Sequence, residues 1–209
     1  MTKVFIDGSA GTTGLRIADR LKERKDIELI TLPDAERKDP ERRKEAVNLA
    51  DICFLCLPDE AAKETVAMVE NPDTAVIDTS TAHRVSPDFV YGFPEITGRD
   101  RIKKSKRIAN PGCHATGFIS LVFPLVNQGI IKPDARLCCF SLTGYSGGGK
   151  KMIAEYESSE RSTSRRTETI RSYPTAQASK GNGGGNGTFK SARFLPGCRR
   201  FLQRNGGHG

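Results

Sequence analysis

Cys113 is the one of six cysteines whose neighbours suit nucleophilic chemistry. Asn110, Pro111 and Gly112 precede it and predict a turn, and the apolar residues 115–128 predict a helix directly afterwards. A helix N-terminus favours a thiolate, because its dipole and its N–H groups stabilise negative charge. These residues alone leave two interpretations open: a covalent nucleophile, or a capped turn with an incidental cysteine.

The other cysteines do not predict a metal or redox site. Cys53 and Cys56 are three residues apart in an apolar run, and this offset places side chains on opposite faces of a strand. Cys138 and Cys139 are interpreted as small core residues, and Cys198 lies near the C-terminus. No metal is therefore expected, and six cysteines without a secretory signal indicate reduced thiols and a cytoplasmic protein.

A glycine-rich segment, residues 8–14, has the spacing G-x-x-G-x-x-G and follows the first apolar run. Gly8, Gly11 and Gly14 would let the backbone approach a pyrophosphate, and the next helix would present its N-terminus to that anion. Thr12 and Thr13 add hydroxyl donors. The segment predicts a dinucleotide site, and the alternative is a tight strand-to-helix turn without a ligand.

The residues after the second predicted strand bear on which dinucleotide binds. Arg37 and Lys38 could contact a 2′-phosphate, which favours NADP. Asp34 and Glu36 could instead hold ribose hydroxyls, which keeps NAD possible. The alternative for Arg37 and Lys38 is a solvated loop.

The elements that must position these residues alternate between strand and helix. Strands are predicted at residues 4–6, 27–32, 52–57 and 75–77, and helices at 13–25, 40–49 and 59–70. This order predicts a doubly wound parallel α/β sheet of Rossmann type with right-handed crossovers. Beyond a boundary near residue 110, the helix at 115–128 and a strand at 136–142 predict the start of an incomplete α+β catalytic domain.

The net charge of +8 belongs to one end of the chain. Residues 162–209 contain nine Lys or Arg and one Glu, whereas residues 1–161 contain 24 of each sign. Nine of the 21 glycines lie in residues 181–209, where no apolar periodicity remains, so this tail is predicted to be disordered. The predicted division is an NADP-binding domain (1–110), the start of a catalytic domain (111–161) and an aberrant basic tail (162–209).

Five segments in this order resemble the short form of N-acetyl-γ-glutamyl-phosphate reductase, an oxidoreductase of arginine and hence amino-acid biosynthesis. The segments are residues 8–14, 78–84, 91–95, 110–113 and 144–150. The resemblance covers about residues 1–160. It implies NADPH-dependent reduction of N-acetyl-glutamyl 5-phosphate to the 5-semialdehyde with release of phosphate, in a homo-oligomer.

The resemblance also implies roles for particular residues. Cys113 would attack the acyl carbon and form a thioester. Ser146 and Gly147 would lie near the nicotinamide and phosphate, since glycine N–H groups suit anions, with a plain flexible loop as the alternative. Arg84 and Asn110 would bind substrate, Arg84 through its phosphate or carboxylate, with a surface salt bridge as the alternative for Arg84. His83 and His114, beside these segments, are interpreted as structural, or as supporting the residues that contact ligands, rather than as catalytic.

The chain departs from the family after Ser162, where relatives continue with a domain that includes an acid/base histidine. His208, in a glycine run, is no substitute. A frameshift near residues 157–162 is predicted. One dropped base permits Lys-His-Gln-Arg-Glu-Met over residues 177–183 and Ala-Asp-Phe-Tyr over 199–203, and both resemble the family's C-terminal half. The chain is therefore expected to be weakly active or inactive.

Two other functions stay open as alternatives. An aspartate-semialdehyde dehydrogenase shares the architecture and a similar Asn-Pro context for its cysteine, but Gly112 and residues 79–84 favour the acetylglutamyl enzyme. A non-catalytic nucleotide-binding module could contact nucleic acid through its basic tail. Neither a nucleic-acid nor a membrane partner is expected, since the charge is local and no run of about 18 apolar residues occurs.

Overall fold

The computed structural model describes residues 1–137, 139, 141, 153 and 154. The chain divides into two compact units, Met1–Thr116 and Gly117–Gly209. The strands are β1 (Thr2–Asp7), β2 (Ile27–Ile30), β3 (Ile52–Leu55), β4 (Ala75–Asp78), β5 (Val90–Tyr91) and β6 (Arg107–Ala109). The helices are α1 (Thr12–Lys22), α2 (Pro40–Leu49), α3 (Asp59–Ala67), α4 (Pro94–Thr97), α5 (Arg99–Lys104) and α6 (Cys113–Asn127).

The first unit is built on one sheet with the order β2-β1-β3-β4-β6-β5. Every adjacent pair is parallel, as in the pairing of Val4 with Ile52 and of Ile77 with Ile108. The chain passes from β1 to β2 on one side and then crosses to β3 on the other side of β1. This reversal confirms the predicted doubly wound sheet, and it opens a crevice at the carboxyl ends of β1 and β3.

One face of the sheet is packed against α2 and α3 and holds most of the core. Phe5, Cys53, Leu55 and Val76 belong to one buried cluster that also includes Val47 of α2. Cys53 and Leu55 of β3 are buried, whereas Ile52 and Phe54 on the other face are half-buried. Burial of this cluster fixes the register of β1 against β3 and therefore the position in the sheet at which each strand ends.

The structure differs from the sequence prediction in two places. Residues 136, 137, 139 and 141, the described part of the predicted strand 136–142, are not in a strand, and Cys139 is exposed, so its interpretation as a core residue was wrong. Conversely, β5, β6 and the short helices α4 and α5 were not predicted. β6 has only three residues, one of which is Arg107, so its local signal is weak and its pairing with β4 supplies the stabilisation.

The compact division falls after Thr116, six residues beyond the predicted boundary near 110. The first unit therefore contains both the glycine-rich segment and Cys113. The domain limits assigned from sequence, and everything predicted for residues 162–209, stay predictions, since residues 155–209 lie outside the described part. Within the described part of the chain, no helix has the length and apolar character to cross a membrane.

Candidate active site

Residues 8–14, here called the glycine loop, connect β1 to α1 with almost no free space. Gly8 has a φ of +86°, and a Cβ on it would lie 2.3 Å from the carbonyl oxygen of Cys56, just after β3. A Cβ on Gly14 would lie 2.4 Å from the carbonyl oxygen of Gly8. These two positions thus require glycine, since the loop packs directly on β3 and α1 packs directly on the loop.

The glycine loop leaves the N-terminus of α1 without a side-chain cap. Gly11 is the cap residue, no side chain accepts from the first turn, and that turn contains no acidic residue. Only the backbone closes the turn, with Gly11 N–H donating to the Gly8 carbonyl at 2.9 Å. Thr12 and Thr13 begin the helix at this point. Such an end, with its dipole, suits a bound anion.

A buried ion pair lies at the end of β1, where the glycine loop begins. Arg43 of α2 donates from Nε and Nη2 to Oδ2 of Asp7, at 3.1 and 3.0 Å. The hydroxyl of Thr65 in α3 donates to the same oxygen at 2.8 Å, and Arg43 also contacts that hydroxyl. All three residues are buried. The network joins α2 and α3 to the base of the glycine loop.

Arg37 and Lys38 follow β2, the strand beside β1, and both are exposed. The guanidinium of Arg37 lies 2.6 Å from Oδ1 of Asp34. Arg37, which favours NADP, and Asp34, which would suit NAD, therefore form an ion pair with each other. A 2′-phosphate would compete with Asp34 for this guanidinium, and the choice between the two cofactors stays a prediction.

The end of β4 carries a second buried carboxylate, Asp78. Its Oδ1 accepts from the backbone N–H of Ser80 at 2.9 Å, and its Oδ2 accepts from the Ser80 hydroxyl at 2.7 Å. Nδ1 of His83 donates to Oδ2 at 2.7 Å, and the His83 ring stacks on Phe89 with 4.2 Å between centroids. These contacts support the structural role predicted for His83.

Arg84 joins the loop after β4 to the turn after β6. Its Nε donates to the carbonyl oxygen of Asn110 at 3.1 Å, and its Nη2 donates to that of Thr79 at 3.0 Å. A Cβ on Gly112 would lie 2.6 Å from Nη1 of Arg84. The guanidinium therefore rests against the residue that precedes Cys113, which places a positive charge beside the predicted nucleophile.

Residues 110–113, here called the cysteine turn, connect β6 to α6. The N–H of Asn110 donates to the carbonyl oxygen of Asp78 at 2.7 Å, which continues the pairing of β6 with β4. The side-chain amide of Asn110 donates to the Pro111 carbonyl at 3.1 Å. Cys113 is the first residue of α6 and its side chain is exposed. The predicted turn and helix N-terminus are both present.

Cys53 of β3 and Cys56, which directly follows that strand, differ from Cys113 in their environment. Burial raises the pKa of the Cys56 thiol to about 11, and burial next to Asp7 raises that of Cys53 still further. Both thiols therefore stay protonated near neutral pH. Cys113, which is exposed beside a guanidinium, is the more accessible of these three thiols.

The structure brings most predicted site residues to one edge of the sheet. Gly8, Gly11, Gly14, Thr12 and Thr13 follow β1, and Arg84, Asn110 and Cys113 follow β4 and β6. β1 and β6 are three strands apart, a distance of roughly 14 Å at the spacing of paired strands. Ser146 and Gly147 lie outside the described residues. Among the described residues, no three His, Cys, Asp or Glu side chains form a group that could hold a metal.

Sequence reasoning missed the buried Asp7–Arg43–Thr65 network and the bond between Asp78 and His83. One signal was present, since Asp7 and Asp78 each end an otherwise apolar run that predicts a buried strand. A carboxylate at such a place needs a donor. Arg43 and Thr65 gave no signal of their own, because each lies in a helix with several other polar residues.

The chain matches two models of the semialdehyde dehydrogenase family. Residues 3–105 match the model described as semialdehyde dehydrogenase, NAD binding domain. Residues 113–176 match the one described as semialdehyde dehydrogenase, dimerisation domain. The fold, the glycine loop and these two matches agree, and the chain belongs to this family.

Within the family, the chain is similar to N-acetyl-γ-glutamyl-phosphate reductases, which confirms the resemblance predicted from the five segments. It is 53% identical over 156 residues to N-acetyl-gamma-glutamyl-phosphate reductase 2 of Pseudomonas putida, covering 74% of this chain and 50% of that protein. It is 48% identical over 179 residues to N-acetyl-gamma-glutamyl-phosphate reductase of Burkholderia ambifaria, covering 85% of this chain and 56% of the relative.

The chain thus spans about half the length of the curated relatives it matches. The dimerisation-domain match ends at residue 176, so the similarity extends beyond the limit of about residue 160 that we predicted. Among solved structures, aspartate semialdehyde dehydrogenase from Francisella tularensis aligns with a TM-score of 0.52 at 16% identity, over 78% of this chain and 52% of that one. This likeness supports the fold alone.

Proposed function

We propose that this chain supplies the cofactor-binding site and the nucleophile of an N-acetyl-γ-glutamyl-phosphate reductase. The reaction is the reduction of N-acetyl-glutamyl 5-phosphate to the 5-semialdehyde, with release of phosphate and NADPH as reductant. The observation that carries the proposal is the placement of the glycine loop and the cysteine turn at the same edge of one parallel sheet. The names of the relatives support the choice of substrate.

The glycine loop fits a dinucleotide, because the lack of side chains at Gly8 and Gly14 allows backbone atoms to pack at distances where a Cβ would collide. Its pyrophosphate would lie over Gly11 and the uncapped start of α1, where Thr12 and Thr13 add hydroxyl groups. Arg37 and Lys38, beyond the neighbouring strand, would meet the 2′-phosphate of NADP. When bound, the reduced cofactor supplies a hydride.

Cys113 performs the covalent step. Its thiolate forms a bond to the acyl carbon, the bond between that carbon and the phosphate oxygen breaks, and phosphate leaves with the electron pair. Arg84 neutralises the departing phosphate, since a guanidinium binds phosphate through paired N–H donors. Asn110 forms the wall of the turn beside the acyl group, and Ser146 and Gly147 are proposed to contact the nicotinamide and phosphate.

The test uses the full chain and reads acylation rather than turnover. Mixing with N-acetyl-glutamyl phosphate without cofactor is expected to release one phosphate per chain. It should also add the acyl mass to the peptide that contains Cys113. Cys113→Ser should abolish both signals, whereas Cys139→Ser, at another exposed cysteine, should keep them. Phosphate release that survives Cys113→Ser would refute the role of Cys113.

Cofactor binding is tested separately by calorimetric titration with NADPH and NADH. NADPH is expected to bind more tightly, and Arg37→Gln with Lys38→Gln should remove this preference without loss of NADH binding. Equal affinity for both cofactors in the unaltered chain would refute the assignment of Arg37 and Lys38. A higher rate of acylation by aspartyl phosphate than by the acetylglutamyl substrate would favour the aspartate-semialdehyde alternative.

We also propose that the protein acts in the cytoplasm as a homo-oligomer. Four cysteines among the described residues are unbridged, which suits a reducing compartment. The match to a dimerisation domain supports self-association. Light scattering of the purified chain tests the second point, and a mass of one chain at micromolar concentration would contradict it.

A further inference from the structure

Asp78 connects the loop that follows β4 to the turn that follows β6. Its carboxylate accepts hydrogen bonds from Ser80 and His83, which lie in the loop after β4. Its backbone carbonyl accepts from the N–H of Asn110, which begins the cysteine turn. Asp78 is fully buried, so these bonds are made without competition from water. One residue therefore ties the loop and the turn to the end of β4.

His83 and Arg84 are neighbours in the chain and extend to different partners. The His83 ring is held between Oδ2 of Asp78 and the ring of Phe89. The Arg84 guanidinium reaches the carbonyl oxygens of Thr79 and Asn110. An arginine side chain has several rotatable bonds and loses considerable entropy when it is ordered. It can hold both carbonyls only if its own backbone is fixed, and the anchored His83 provides that restraint.

We propose that His83 is a positioning residue that acts through Arg84. Its bond to Asp78 fixes the loop in the conformation from which Arg84 presents its guanidinium to the cysteine turn. The inference rests on the proposed function for the identity of the anion, since the phosphate beside Cys113 is that of the acyl phosphate. Its structural part, the dependence of Arg84 and Asn110 on His83, stands independently of that identity.

The experiment compares the full chain with His83→Leu and His83→Asn. Leucine keeps much of the volume but cannot donate to Asp78, whereas the asparagine amide can take the place of Nδ1 as donor. Iodoacetamide alkylation of Cys113 is followed by mass spectrometry at increasing concentrations of inorganic phosphate. Phosphate held by Arg84 shields Cys113, so the concentration that halves the alkylation rate reports how well Arg84 is placed.

His83→Leu is expected to raise this half-protective concentration about tenfold, because a small displacement of a binding group has a large effect. His83→Asn should stay within about threefold of the unaltered chain, since the asparagine amide can donate to the same carboxylate oxygen of Asp78. The affinity for NADPH should change little in either variant. A general loss of structure would instead change all of these quantities together.

An unchanged half-protective concentration in His83→Leu overturns the inference. If phosphate fails to protect Cys113 in the unaltered chain, the proposed anion site fails. Amide hydrogen exchange of Asn110 then decides the structural part, with faster exchange expected in His83→Leu and not in His83→Asn. Equal exchange in all three proteins overturns it. If His83→Leu does not fold, His83→Gln replaces it, since its amide lies farther from the backbone than Nδ1.

Discussion

The glycine loop and the cysteine turn occupy the same edge of the sheet but are built by opposite means. The glycine loop is held by backbone packed on backbone, with Gly8 against the Cys56 carbonyl and Gly14 against Gly8 itself. The cysteine turn is held by a side chain that comes from another loop, since Arg84 contacts Asn110 across 26 residues of sequence. The glycine loop leaves no room for side chains at these positions, whereas the cysteine turn depends on the long side chain of Arg84.

The difference matches what each region would have to do. A pyrophosphate is itself negatively charged. The protein therefore needs only backbone N–H groups at close distance and a rigid loop to hold them. A nucleophile at an acyl carbon needs a defined position relative to the leaving phosphate, and a side chain from a second loop can supply both charge and position. The two regions should therefore respond differently to substitution.

The largest expected effect concerns the buried support of the glycine loop. Arg43→Met leaves the carboxylate of Asp7 buried without its cation and should lower the free energy of unfolding by about 3–5 kcal/mol. Urea denaturation measures this change. Arg42→Met, at an exposed neighbour on the same helix, is the matched control and should have a much smaller effect. Similar losses in both variants would show that the network adds no special stability.

Gly8→Ala should have the next largest effect, about 3 kcal/mol, because the new methyl group would overlap the Cys56 carbonyl in addition to straining the backbone. Gly98→Ala separates these two causes. Gly98 also has a positive φ, +88°, but a Cβ there meets nothing within 4 Å. It should cost only the backbone strain, about 1–3 kcal/mol, and less than Gly8→Ala costs. Thermal unfolding of both variants gives the comparison, and equal losses would mean that the overlap is relieved by a small shift.

Substitution in the cysteine turn should affect ligand binding more than folding. Arg84→Lys keeps the charge but cannot reach two carbonyls at once, so phosphate protection of Cys113 should weaken about tenfold. The melting temperature should change little. Arg101→Lys, at an exposed arginine of α5, serves as the control and should leave protection unchanged. A large drop in melting temperature for Arg84→Lys would show that the turn is part of the folding core.

The smallest expected effect is a pH dependence of stability that comes from Cys53 and Cys56. Burial raises the pKa of Cys56 from 9.0 to about 11, and that of Cys53 is also raised. Between these pH values the folded chain retains thiol protons that the unfolded chain has lost. Stability is therefore full below pH 9.0 and falls as the pH rises toward about 11. As the pH rises, the urea midpoint should fall less in the double variant Cys53→Ala, Cys56→Ala than in the unaltered chain. The same dependence of the midpoint on pH in both proteins would show that these two thiols are not its cause.

Much of the first unit could be predicted because its signals are local. The apolar run at residues 52–57, the glycine spacing at 8–14 and the Pro-Gly turn before Cys113 each express a short-range constraint. β6 could not be predicted in the same way, because its three residues are stabilised by pairing with β4 on one side and β5 on the other. Strand pairing between distant segments leaves little trace in either segment alone.

The sequence by itself determined the class of fold, the glycine loop and the turn that precedes Cys113. Those features follow from the conformational limits of glycine and proline and from the alternation of apolar runs. Only the tertiary structure decided that Asp7 pairs with Arg43, that Asp78 holds His83 and that Arg84 supports the cysteine turn. A polar side chain has many possible partners along a chain, and its actual partner is set by which strand ends lie side by side.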